Sequence, residues 1–262
     1  MVINSVLELD FSIINEHVVN FYSGLFASDH LPRDFSGVKE SIPMLVSESE
    51  NLMLTIMPSN ELIRSVVFNM DPNSAPGSDG FTGHFFRSCW DVVGLDFCSV
   101  VCSFFATGAL SFGVNSNLMI LIPKVPGANS VDRFRPIILS NFLFKVVTKI
   151  LADCLGTIAS RIISKNQFGF LKGRHIEDFI VAASECFNVM NRECWDGNMT
   201  MKIDIKKAFN SIEWDFMQAV LCSFGFSKKF IDWIWAIFES ARLSILLNGG
   251  QHGYFSVSRG VR

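Results

Sequence analysis

The sequence lacks the short signatures of the commonest catalytic machineries. It contains no HExxH, no GxGxxG behind a strand, no Walker-type GxxxxGK and no GxSxG. Those gaps point away from zinc-peptidase, dinucleotide-binding, P-loop and serine-hydrolase chemistry. No two of the seven cysteines form a CxxC pair; Cys98 and Cys102 are the closest, with no histidine at ligand spacing. Reduced core thiols fit that pattern better than a zinc site, and nothing in it suggests an oxidising compartment. Charge is also scarce, at 18% of residues against 49% hydrophobic ones. A chain so apolar is not disordered, and 262 residues suffice for one large domain or two small ones. Phenylalanine is abundant, at 26 residues, so either the core is large or some of these rings stay uncovered.

The N-terminal stretch 1–11 has Glu8 and Asp10 and no basic residue, unlike a signal peptide. Residues 97–123 carry no charge, long enough for a membrane span. Gly108, Gly113, Asn115, Ser116 and Asn117 interrupt the run, however. A buried helix over about 97–107, a turn, and a buried strand over 118–122 fit it better, and no membrane partner is expected. The net charge of −3 hides an uneven distribution. Residues 1–100 hold 4 Lys+Arg against 13 Asp+Glu, whereas residues 132–174 hold 8 Lys+Arg against Asp132 and Asp153. That basic stretch is either a polyanion-binding face or a solvated surface with chance clustering.

Residues 1–60 carry few signals beyond an amphipathic helix near 18–26, and 31–58 has the Pro, Ser and acidic content of a linker. The expected organisation is therefore a connector over 1–60 and a domain over 61–262. Ser59 caps a helix over 59–69 with Leu62, Val66 and Phe68 on its apolar face. The run 74–80 is dense in turn formers, and helices follow over 83–92, 142–163 and 179–191. In 201–206 Met201, Ile203 and Ile205 alternate with Lys202, Asp204 and Lys206, which is the period of a half-buried strand. Ile212, Phe216 and Val220 then recur every fourth residue, and Asn210 with Glu213 has capping-box spacing. Asp204 thus falls at a strand end before a helix, where a carboxylate either binds a divalent cation or pairs with a neighbouring lysine.

Seven segments in order resemble the reverse-transcriptase region of LINE-type (non-LTR) retrotransposons, especially plant ones. They are Ala75-Pro-Gly-Ser-Asp-Gly-Phe81, Leu121-Ile-Pro-Lys124, Phe134-Arg-Pro-Ile137 with Ser140-Asn141, Gln167-Phe-Gly-Phe-Leu-Lys-Gly-Arg174 with Asp178, Lys202-Ile-Asp-Ile-Lys-Lys-Ala-Phe209, Leu247-Asn-Gly249 and Ser258-Arg-Gly-Val-Arg262. The resemblance spans about 62–262. It implies an α/β (α+β) fold: the fingers and first part of the palm of a right-hand polymerase, helices packed on a small, mostly antiparallel sheet. It implies RNA-directed DNA synthesis by two-metal nucleotidyl transfer, with Mg²⁺, an RNA template, a DNA primer and deoxynucleoside triphosphates, in the nucleus or cytoplasm.

By the same resemblance Asp204 is the first catalytic aspartate, and the Ile205 carbonyl helps hold a metal. Phe209 is a steric gate against a 2′-hydroxyl, or core packing. Lys124 and Arg135 face the incoming triphosphate, as a lysine charge and an arginine fork suit phosphate oxygens, or they touch the template or form surface ion pairs. Gln167, Gly173 and Arg174 lie near template and primer, Arg174 equally in a structural role, and Arg259 and Gly260 lie behind the nucleotide. Asn210 stands where the family usually has Asp, and Ser74 where Lys is common. The family pattern continues past Arg262 with a Gln-Gly-Asp-Pro-like run and two adjacent aspartates, so this stretch by itself is expected to be catalytically incomplete. The alternative is a retained, non-catalytic nucleic-acid-binding or interaction module; an unrelated α/β metal enzyme has only Asp204 in its favour.

Overall fold

The computed structural model describes residues 1–262 except 4, 30, 32, 191–196, 206, 261 and 262. The N-terminus forms a two-residue ladder, β1 (Val2–Ile3) with β2 (Val6–Leu7), and then α1 (Phe11–Leu25). Asp10 caps α1 by accepting the Ser12 amide. Val18, Tyr22 and Phe26 recur every fourth residue and are all buried, so this helix is longer than the sequence pattern indicates but presents the expected stripe.

The segment expected to be a linker holds two helices, α2 (Ser36–Ser41) and α3 (Glu48–Leu54). A reciprocal capping box starts α3: Ser47 Oγ accepts the Glu50 amide and Glu50 accepts the Ser47 amide. Glu50 also pairs with Arg161 at 2.6 Å, and Leu54 is buried. The polar composition of this stretch obscured α3, whose one buried residue is Leu54, with Val46 buried just before it.

Ser59 caps α4 (Asn60–Asn69) as expected. Its buried face is Ile63, Val66 and Val67, while Leu62 and Phe68 are exposed, so the expected stripe is rotated by about one residue. The single helix expected over 83–92 is two, α5 (Gly83–Ser88) and α6 (Trp90–Thr107), joined at Cys89. By length and composition α6 could cross a membrane. Its Phe97, Cys98, Val101, Phe104 and Phe105 are nevertheless buried in the helical core, as the sequence pattern favoured. That core is shared with α3, α4, α7 (Phe142–Ile162) and, later in the chain, residues 228–239.

The sheet begins with β3 (Ser116–Pro123) and β4 (Phe134–Leu139), paired antiparallel, with a 3-10 turn over Val131–Arg133 between them. After α7 come α8 (Ile176–Met190), α9 (Ala208–Ser211), α10 (Trp214–Phe224) and α11 (Lys228–Glu239). The chain then returns to the sheet as β5 (Arg242–Leu247) and β6 (Gly250–Ser256). The order is β4-β3-β5-β6, with β3 and β5 parallel and the other two pairings antiparallel. This is the α/β architecture expected, with a mostly antiparallel sheet. Asn248 (φ 50°) and Gly249 (φ 82°) make a two-residue hairpin turn with both residues left-handed, the geometry an Asn-Gly pair favours. Met119 and Ile245 are register partners in the parallel pair; both are fully buried in a second core with Val18 and Tyr22 of α1 and Phe26 at its C-cap.

Residues 201–205 are not a strand. Met201, Ile203 and Ile205 are all exposed, Ile203 by 78%. The alternation is present, but a strand needs a neighbour for its backbone N–H and C=O groups, and none of the described strands pairs with this segment. Helix α8 likewise buries none of its residues. Phe170, Phe179, Phe187 and Ile203 are each exposed.

Candidate functional site

One cleft of about 180 Å³ gathers residues from four parts of the chain. Helix α1 supplies Phe21, Tyr22 and Leu25; Lys124 lies just past β3; the 3-10 turn and β4 supply Asp132, Phe134 and Arg135; and the turn into α9 supplies Lys207, Phe209 and Asn210. The β3–β4 register sets Arg135 opposite Ile122 and Phe134 opposite Pro123, so Lys124 and Arg135 share one end of the strand pair. The Lys124 amide donates to the Arg133 carbonyl at 2.9 Å and its Nζ donates to the Asp132 carbonyl at 2.8 Å. Together these bonds fold the connection back on itself.

Three cations, Lys124, Arg135 and Lys207, and one carboxylate, Asp132, line the cleft. A hydrogen bond from Ser130 holds the Asp132 carboxyl below the usual carboxylate range, helped by the charges of Arg133 and Lys124. The Tyr22 phenol is pushed up to about 12 by burial and by the Asp132 charge. Lys207 adopts the left-handed region (φ 55°) and sets its Nζ 5.4 Å from the centroid of the Phe21 ring, within cation–π range. The Phe209 ring meets Phe170 edge-on at 5.8 Å between centroids.

The 207–210 turn rests on the chain's last described residues. Gly260 (φ 88°) lies so close to Asn210 that a Cβ there would sit 3.1 Å from the Asn210 carbonyl oxygen. Its amide donates to the Ile212 carbonyl, and its own carbonyl accepts Trp214 Nε1, both at 2.8 Å. Arg259 forms a β-bridge with Glu213, gives Nε to the Leu25 carbonyl at 2.8 Å and approaches the Glu213 carboxylate at 3.8 Å. The same carboxylate receives Ser28 Oγ at 2.6 Å and faces Arg33 at 3.3 Å. Glu213 is itself the N-cap residue of α10 and makes no side-chain cap bond, so the expected Asn210–Glu213 capping box does not form. Its carboxylate is committed to arginines instead. This knot fastens the end of α1 to the turn carrying Phe209.

The fingers-like motifs also meet. Asn141 is buried before α7 and accepts from the Asp79 amide (3.3 Å) and Ser78 Oγ (3.4 Å), which docks the Ala75–Phe81 loop on Ser140-Asn141. Lys145 Nζ donates to Ser74 Oγ at 2.8 Å and to the Ala75 carbonyl at 2.6 Å. Desolvation there lowers the Lys145 ammonium below its ordinary value, against the opposing pull of Asp79.

Other expected site residues lie elsewhere. Asp204 and Ile205 are exposed in the irregular segment and do not line the cleft. Among the described residues no group of three or more His, Cys, Asp or Glu could hold a metal ion, so the donor set around Asp204 does not by itself form a Mg²⁺ site. Gln167 Nε2 donates to the Gly169 carbonyl at 3.2 Å, and Gly173 supplies a left-handed turn residue (φ 81°). Arg174 turns its guanidinium onto the end of α7, donating to the carbonyls of Ser160, Ile163, Ser164 and Gln167. That is the cation a helix C-terminus favours.

Sequence reasoning missed the α1 wall. Phe21, Tyr22 and Leu25 belong to a helix it recognised but assigned to a connector. The four-residue recurrence of Val18, Tyr22 and Phe26 was the available signal that α1 buries a face against the domain.

Residues 122–262 match the family model of the reverse transcriptase (RNA-dependent DNA polymerase). The chain is similar to the transposon TX1 uncharacterized 149 kDa protein of Xenopus laevis, 24% identical over 250 residues that cover 95% of this chain and 19% of that protein. It is also similar to the retrovirus-related Pol polyprotein from type-2 retrotransposable element R2DM of Drosophila melanogaster, 26% identical over 196 residues, 72% of this chain and 17% of that protein. The chain thus spans about a fifth of the length of the curated relatives it matches. Reverse transcriptases as a family use divalent metal ions and act on nucleotides along a nucleic-acid template. With the ordered motifs, the family model and these relatives in view, the chain belongs to the reverse transcriptase family and is of the LINE type.

Proposed function

We propose that this chain serves RNA-directed DNA synthesis in a retrotransposon, and that the cleft between α1, the β3–β4 connection and the 207–210 turn receives the triphosphate of a deoxynucleotide. An RNA template and a DNA primer are the other substrates. The observation that carries this reading is convergence: Lys124, just past β3, and Arg135, on its partner strand β4, line one cleft with Phe209, which lies far along the chain. The arginine fork and the lysine point charge both suit phosphate oxygens. Phe209 lines the same cleft and is 42% exposed. Asp204 and the Ile205 carbonyl are this chain's contribution to a divalent-metal site. Gln167, Gly173 and Arg174 shape the template and primer side, Arg174 by fixing the end of α7.

The experiment is equilibrium titration of dATP into the wild-type chain and Arg135→Ala. Loss of a charge-assisted contact weakens binding by about 10-fold or more. Equal affinity in the two proteins contradicts the assignment.

A further inference from the structure

Helix α1 lies outside every motif that carries the family resemblance, yet it forms one wall of the cleft. Its Tyr22 is 1% exposed, and its hydroxyl has no hydrogen-bond partner among the described residues. Native proteins rarely leave a buried hydroxyl unpaired, because it gives up water and receives nothing in return. Two other buried polar atoms among the described residues share that condition, Asn15 Oδ1 and Asn117 Oδ1, and neither residue lines this cleft. With the phenol raised to about 12, Tyr22 stays protonated at neutral pH and offers an O–H donor. Lys124, Arg135 and Lys207 add positive donors in the same cleft, and Arg135 makes no ion pair among the described residues. Asp132 alone opposes them with a carboxylate. A group that only accepts hydrogen bonds and carries several negative charges satisfies this lining. An uncharged nucleoside does not.

We propose that α1 is part of the nucleotide site, with the Tyr22 hydroxyl donating to a phosphate oxygen of the bound deoxynucleoside triphosphate while Phe21 and Leu25 wall the cleft. The inference rests on the reading of the cleft as a triphosphate site and adds a residue that the motifs do not reach. Tyr22 is a binding residue here, and the knot of Arg259, Glu213 and the Leu25 carbonyl holds it in register with the Phe209 turn.

The test titrates dATP, inorganic tripolyphosphate and deoxyadenosine into the wild-type chain, Tyr22→Phe and Arg135→Ala. The phenylalanine variant keeps the ring and removes only the unpartnered hydroxyl. Its affinity for dATP and tripolyphosphate is expected to fall about 10-fold, with deoxyadenosine unaffected. Without ligand it melts no lower than wild type, since no hydrogen bond is lost. If Tyr22→Phe binds tripolyphosphate as tightly as wild type while Arg135→Ala loses it, the Tyr22 assignment falls and the cleft reading stands. If wild type binds neither anion, both fall. A Tyr22→Phe melting point well below wild type would make the hydroxyl structural and also overturn the proposal.

Discussion

Replacing Gly77 by alanine tests how the Ala75–Phe81 loop is seated. A Cβ at position 77 would lie 2.2 Å from Asn141 Oδ1, 2.3 Å from the Asn141 backbone nitrogen and 2.5 Å from the Ser140 carbonyl carbon. Comfortable contacts are about 3.5–4.0 Å, so the loop must retreat by about 1 Å or more. Two of those neighbours are backbone and cannot swing away. Retreat stretches the bonds from Ser78 Oγ to the Ser116 carbonyl (3.0 Å), from the Asp79 amide to Asn141 (3.3 Å) and from Lys145 to the Ala75 carbonyl (2.6 Å). Overpacking costs about 1–3 kcal/mol, and each bond lost adds about 1 kcal/mol. With the three bonds lost, a total near 4–6 kcal/mol lowers the melting temperature by about 8–24 °C at about 2–4 °C per kcal/mol. Gly80→Ala is the control, because Gly80 has φ 77° and nothing within 4 Å of its added Cβ. It incurs only the left-handed penalty, about 1–2 kcal/mol. Circular dichroism melts read both variants. Gly77→Ala melting within about 2 °C of wild type, or no lower than Gly80→Ala, would refute the docking described.

Arg174→Ala should free the carbonyls of Ser160, Ile163, Ser164 and Gln167 and cost about 1–3 kcal/mol, read as faster amide exchange at the end of α7. Arg174→Lys should recover only part of that loss, because an ammonium cannot span the same fork. The Tyr22 phenol, raised from 10.0 to about 12, favours the neutral form in the folded state. Below pH 10 the phenol is neutral in both states; as pH climbs from 10 to about 12 the folded state loses about 2–3 kcal/mol, because the unfolded chain ionises first. Alkaline unfolding should therefore flatten over that window in Tyr22→Phe, and a 295 nm titration should lose its phenolate step near 12. Ile245→Ala, at a fully buried site paired with Met119, should cost about 2–5 kcal/mol in denaturant melts.

What the sequence made legible follows from how local each signal is. Ser59 marks the start of α4 because an N-cap acts on the next three residues, and Asn248-Gly249 marks a hairpin because two left-handed residues in a row are costly for most others. The motif order located Lys124, Arg135 and Phe209 before any geometry, and the cleft unites them. Where the outcome depends on a distant partner, local signals failed. The buried stripe of α4 is Ile63, Val66 and Val67, since the helices it packs against choose the face. Residues 201–205 alternate correctly but pair with no described strand, and alternation alone cannot supply a ladder. Glu213 has capping-box spacing, yet Arg33 and Arg259 outbid the backbone for its carboxylate. Tyr22 carried no motif at all; only the fold brings it into the lining of the cleft that holds Lys124 and Arg135.

The most direct measurement is photo-crosslinking of the 262-residue chain with an azido-substituted deoxyadenosine triphosphate, followed by peptide mapping. Labelling is expected in peptides containing Phe21–Leu25, Lys124–Pro136 or Lys207–Asn210, and an excess of unlabelled dATP or tripolyphosphate should suppress it. Labelling confined to the exposed surface of α8, or unchanged by competitor, would contradict the cleft as the nucleotide site.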